Sequence, residues 1–234
     1  MGRLGVIAGS ALLGSDFARR GERVKHSGIR VLDVDGTIVL QRHGLDSWTP
    51  PHRIDHRAHI GALLAADVDR VVALSSVGSL RLDWPVGTCV AVDDVYAPHE
   101  TISYHDDARS HYIPRFDPAW RAAVINAWSR STSTPLIDGG VYAQTSGPRF
   151  ETAAEVRALT RVADLVGMTV ASECMLAAEV GLAYAAICVV DNLANGLGPA
   201  LLTMDEFNAG VAANRARLIE DLDLLVPALA LASS

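Results

Sequence analysis

Short apolar runs alternate with helix-spaced apolar residues along the 234 positions of this chain. Buried strands of a layered α/β fold read as continuous apolar runs, and its helices show a single apolar stripe. Residues 4–9 (LGVIAG) predict a first buried strand. Residues 29–41 predict a hairpin turned at Asp35-Gly36, a pair suited to a type I′ turn. Residues 53–66 predict a helix whose stripe is Ile54, Ile60, Leu63 and Leu64. Residues 71–76 and 89–95 predict strands joined by a loop with Pro85 and Gly87, and polar 99–112 predicts another loop. Helices are predicted over 117–130 and 151–164, with a strand over 136–147 between them that ends in a Gly-Pro turn. Ser172 can cap a helix over 173–180. Residues 182–190 predict a central buried strand, and a long amphipathic helix from near Met204 or Asp205 follows. No repeat or low-complexity linker interrupts the pattern, so a single domain, 1–234, is the simplest division.

Composition narrows the function classes. The formal net charge is −7 with no block of like charges, which argues against a nucleic-acid binder but not against a small anion. No window is apolar for the length of a membrane span. MGRLGVIAGS runs into a strand pattern without the features of a signal peptide, so a cytoplasmic protein is expected. Cys89, Cys174 and Cys188 have no zinc spacing and read as buried thiols. His52 and His56 are four apart, but Arg53 stands where a metalloprotease helix has glutamate; the histidines read as helix surface and no metal is expected.

Several stretches could carry chemistry. Ala8-Gly9-Ser10-Ala11 follows the first strand, where backbone N–H groups and a hydroxyl suit an anion, though a plain tight turn fits as well. Arg42 and His43 follow the hairpin; a guanidinium fork matches phosphate oxygens, and a solvated surface turn is the other reading. Ser75 and Ser76 end a buried strand, the place where α/β sheets bind ligands. Phe150 and Glu151 open a predicted helix, as core and as helix-start charge or as part of a site. Met168-Thr169 and Asp191-Asn192 end two later apolar runs, where turn formers are also common.

Taken in order, these stretches resemble the trimeric purine nucleoside phosphorylase family, on the side of methylthioadenosine and methylthioinosine phosphorylases. VYAQTSGPRFETAAEVRAL and VGMTVASECMLAAEVGLAYAAICVV carry the resemblance most specifically, with the RHG run and LSSVGSLRLDWPVGT before them. The resemblance implies a central mixed β-sheet flanked by helices, and phosphate-dependent cleavage of a purine nucleoside. It assigns phosphate contacts to Ser10, Arg42, His43, Ser75, Ser76 and Thr169, and places Met168 under the ribose and Phe150 on the base. Glu151 and Asp191 fall at base-reading, catalytic positions, with Asp191 expected at the purine N7. Tyr112 falls near a position that reaches a neighbouring subunit, which implies a homotrimer. Inorganic phosphate is the implied co-substrate, and no cofactor is implied.

The chain also departs from the pattern. Ser47 stands where a histidine is usual, and Ala171-Ser172-Glu173 where Val-Pro-Glu is usual; Glu173 fits either the sugar hydroxyls or a helix start. Glu151 suits a 6-oxopurine and Asp191 a 6-aminopurine, so the base stays open, with Asn192 or Asn195 able to re-aim the pocket. Met204, after Leu201 and Leu202, stands where enzymes for 5′-hydroxyl substrates tend to have histidine. An apolar 5′ pocket implies a 5′-modified nucleoside such as a 5′-methylthio compound. Cleavage of inosine or guanosine, hydrolysis by water and non-catalytic nucleoside binding remain the alternatives.

Overall fold

A computed structural model describes residues 2–12, 20–198 and 201–231. Within them the apolar runs become an 11-stranded mixed sheet. β1 (Arg3–Ala8) lies between β4 (Thr37–Gln41) and β5 (Val68–Ser79), parallel to both. β3 (Ile29–Val34) pairs antiparallel with β4 around the expected turn, where Asp35 and Gly36 take φ of 49° and 89°. β2 (Glu22–His26) extends the sheet as an edge strand. Its polar face of Arg23 and Lys25 gave no apolar signal; charged edges are how sheets avoid further pairing.

β5 is longer than expected and β11 (Ala183–Leu193) pairs parallel with it along its whole length. The expected strand over 89–95 divides into β6 (Cys89–Ala91) and β7 (Asp94–Tyr96). The Gly139-Gly140 turn cuts the expected 136–147 strand into β8 (Leu136–Asp138), which pairs with β6, and β9 (Val141–Gln144), which pairs with β7 and β10 (Leu165–Gly167).

Helices cover both faces. α1 (His56–Ala65) and α4 (Val170–Glu179) pack on one apolar layer through Ile60, Leu63, Cys174 and Leu176. α2 (Pro118–Ser131) and α5 (Met204–Leu231) cover the other through Trp120, Val124, Leu218 and Leu222. α3 (Ala153–Leu159) closes a smaller cluster with Leu80 and Val166. α1 starts later than its pattern because Asp55 caps it, accepting from the Ala58 N–H, and Leu64 faces outward. His56 is buried beneath α1 rather than on its surface.

The sheet has a gap that positions the site. On the edge opposite β11, β5 pairs with β1 as far as Ala73 and with β10 from Gly78. Among the described residues, 74–77 have no strand partner on that edge. The gap lies at the carboxyl ends of parallel strands, where open α/β sheets bind their ligands.

Candidate active site

A cavity opens over this gap. β5 supplies Ser75, Ser76, Val77 and Gly78 to its wall. From the β1–β4 side come Ser10, Arg42, His43 and Trp48; from the β9–β10 side come Phe150, Glu151, Gly167, Met168 and Thr169. Leu202, Met204 and Phe207, at and before the start of α5, complete it with Asn192 and Ala194. Ten of the twelve residues expected at a site therefore meet in one cavity; Asp191 and Tyr112 do not.

The β1–β4 side is polar and tightly held. The Arg42 guanidinium is only 1 % exposed. It donates from Nε and Nη2 to the Glu173 carboxylate at 2.6 and 2.9 Å, and from Nη1 to the Leu74 carbonyl at 2.8 Å. Burial opposes charge on Glu173, but the Arg42 charge and hydrogen bonds, with His56 and Tyr184, outweigh it and hold the carboxyl below its usual range. Glu173 itself is not on the cavity wall, so it neither meets a sugar there nor acts as a solvated helix charge. His43 Nδ1 lies 2.9 Å from the Thr49 carbonyl, which only accepts, so Nδ1 carries the proton. Nε2 is then an acceptor facing the Ser10 hydroxyl at 3.3 Å. Burial draws the imidazole pKa down, against the Thr49 contact, and the ring is neutral at pH 7. Trp48 stacks on it, with centroids 6.0 Å apart.

The β9–β10 side is built on helix starts. Thr169 precedes α4, and its hydroxyl does not cap the helix. The Tyr142 hydroxyl accepts from the Thr169 and Val170 N–H groups, and Gln144 Oε1 accepts from those of Ala171 and Ser172. Ser172 is thus not the expected cap; its hydroxyl bonds Glu100. Thr152 and Glu155 form a capping box at α3, which fixes the neighbouring Glu151. Thr145 donates to Glu151 Oε1 at 2.6 Å. Phe150 packs against Phe207, with centroids 5.8 Å apart.

Asp191 is displaced by a register shift in β11 between Val190 and Asn192. The shift leaves Asn192 on the cavity wall and turns Asp191 toward α5, where it lines a second cleft. Asn214 donates to its Oδ1 at 2.6 Å and to the Val190 carbonyl at 3.0 Å. Its Oδ2 faces the Ser76 hydroxyl without closing a hydrogen bond. Burial raises its pKa, although Asn214 and Ser76 act the other way. Tyr112 lies on another surface and donates to the Met175 carbonyl at 2.8 Å. Trp48 and Phe207 are wall residues that sequence reasoning left without a role, whereas Asn192 was expected there as a residue able to re-aim the pocket. Phe207 alone had a readable signal, three residues after Met204 on one helix face. Among the described residues no group of three or more His, Cys, Asp or Glu could hold a metal ion, and no helix is long and apolar enough to cross a membrane.

A mixed sheet whose gap holds an anion-suited polar side opposite an aromatic–carboxylate side defines an enzyme of the α/β class that acts on small molecules. The chain belongs to the phosphorylase superfamily, which it matches over residues 4–225. It is 34 % identical over 232 residues to the 6-oxopurine nucleoside phosphorylase of Pyrococcus furiosus, covering 88 % of this chain and 85 % of that one. It is 35 % identical over 193 residues to a probable S-methyl-5′-thioinosine phosphorylase of Methanosarcina acetivorans, covering 79 % and 72 %. Its fold is shared with methylthioadenosine phosphorylase of Schistosoma mansoni in complex with adenine, at a TM-score of 0.79 and 22 % identity, covering 100 % and 92 %.

Proposed function

We propose that the chain is a single phosphorylase domain that uses inorganic phosphate to cleave a 6-oxopurine nucleoside carrying an apolar 5′ group, such as 5′-methylthioinosine. The observation that carries this reading is the cavity itself, which joins Ser10, Arg42, His43 and Thr169 to Phe150, Glu151 and Met204 through Met168. Relatives named for 6-oxopurine nucleosides and for methylthioinosine support it.

In this reading Ser10, Arg42, His43, Ser75, Ser76 and Thr169 surround the phosphate, and Met168 lies under the ribose. Phe150 offers an aromatic surface to the base, with Phe207 packed against it as support. The Glu151 carboxylate accepts from the N1–H of a 6-oxopurine, whereas an adenine N1 has no proton to offer it. Asn192 brings a neutral amide to the wall, so O6 meets no second carboxylate, and Asp191 acts from behind Ser76 instead of at N7. A phosphate oxygen forms a bond to C1′ as the C1′–N9 bond breaks. The bonding pair leaves with the purine, which takes up a proton, and the phosphate charge stabilises the oxocarbenium-like sugar. Positioning and electrostatics do the catalysis; the reading requires no cofactor. Tyr112 and the exposed Ile113 lie at the contact of a homotrimer, and light scattering should give three times the chain mass.

The test is release of free base from methylthioinosine, methylthioadenosine, inosine and adenosine, each with and without phosphate. Phosphate-dependent release, fastest from methylthioinosine, is expected. Equal release without phosphate would mean hydrolysis, and preference for methylthioadenosine would overturn the assignment of the base to Glu151 and Asn192.

A further inference from the structure

Arg42 does not meet the cavity as a free cation. A guanidinium carries five N–H bonds; three of them are taken by Glu173 and the Leu74 carbonyl. One remains on each terminal nitrogen, and Arg42 forms part of the cavity wall. The carboxylate that holds it is itself held. Glu173, on the first turn of α4, has no exposed surface. Tyr184 of β11, fully buried and stacked on Phe116, donates its hydroxyl to Glu173 Oε2 at 2.7 Å. The N–H groups at the start of α4 are taken by Tyr142 and Gln144, so Glu173 is not needed to satisfy them.

A buried ion pair is a weak source of stability, because desolvation offsets most of the Coulomb gain. Its effect is geometric: a two-point fork fixes the plane of the guanidinium, which a single contact would not. We propose that Glu173, fixed by Tyr184, is the positioning residue of the phosphate site. It orients Arg42 so that the two remaining N–H bonds meet the phosphate, and it cancels the arginine charge before phosphate arrives. The inference rests on the reading of Arg42 as a phosphate contact. It places the control of phosphate affinity in α4 and β11, outside the cavity wall.

The experiment measures KM for phosphate and for nucleoside separately in Glu173→Gln, Glu173→Asp and Tyr184→Phe, with calorimetric binding of inorganic phosphate alone. In Glu173→Gln the phosphate KM should rise about tenfold or more, the loss of one charged hydrogen bond, while the nucleoside KM changes less than about twofold. Glu173→Asp keeps the charge but not the reach, and should still raise the phosphate KM. Tyr184→Phe leaves the ion pair in place and should raise the phosphate KM by about threefold to fivefold, which keeps the test open if Glu173→Gln does not fold. Equal changes in both KM values would overturn the proposal, as would a phosphate KM that stays constant in Tyr184→Phe or falls in Glu173→Gln. Calorimetry separates this from the proposed function. Weakened phosphate binding in Tyr184→Phe supports the positioning role even if no nucleoside is cleaved, and unaltered binding overturns it even if phosphorolysis is confirmed.

Discussion

Met204 is apolar yet 57 % exposed, on the wall of the cavity. An apolar side chain left open there has something apolar to meet, and the 5′ substituent is the substrate group that the phosphate and the base leave unassigned. Met204→His would offer a hydrogen bond to a 5′-hydroxyl in place of a thioether surface. The ratio of kcat/KM for methylthioinosine over inosine should fall by about tenfold, read from initial rates at saturating phosphate; an unchanged ratio would remove Met204 from the 5′ site. The same scale sets the limit of what the sequence disclosed. Ser10, Arg42, His43 and Thr169 were legible because ordered motifs carry them. Asn192 was legible only as one of two asparagines able to re-aim the pocket, since a one-residue register shift in β11 decides whether position 191 or 192 reaches the wall. Such a shift depends on the partner strand and on Asn214, which lies 23 residues further along the chain.

Elements were legible in proportion to their burial. β1, β11 and the middle of β5 carry apolar runs and stood out, whereas the polar edge strand β2 left no trace. Helix starts were harder, because their caps are tertiary: Gln144 and Tyr142 cap α4 from β9. α5 matters most to the site, since Met204 and Phe207 ride on its first turns. Gly210 lets this helix approach β11; a Cβ there would stand 1.7 Å from the Asp191 carbonyl oxygen. Gly210→Ala should therefore push α5 outward and cost about 1–3 kcal/mol or more. Chemical denaturation should record that loss, and the KM for nucleoside should rise more than the KM for phosphate. Wild-type stability in this variant would mean that α5 is not seated as described.

Across the whole molecule, the buried His43 and His56 and the half-buried His59 couple stability to pH. Burial draws His43 and His56 below their ordinary value of 6.5, and His59 to about 4. Between these values and 6.5 the unfolded chain binds more protons than the folded one, so stability rises with pH and is lost on acidification through this window. Asp191 and Asp221, raised by burial, act in the opposite sense, but only near and above 3.8. The melting temperature should fall by roughly 5–10 °C from pH 7 to pH 5, and His59→Asn should flatten that slope. A melting temperature constant over this range would show that the histidines are not buried as neutral groups.

The central claim is that phosphate is consumed, not merely bound. It is tested most directly by phosphorus NMR of the enzyme with 5′-methylthioinosine and inorganic phosphate, with free hypoxanthine measured in the same sample. The account predicts that the inorganic phosphate signal falls one for one with base released, as a sugar-phosphate signal grows. Base accumulating while the inorganic phosphate signal stays constant would contradict it.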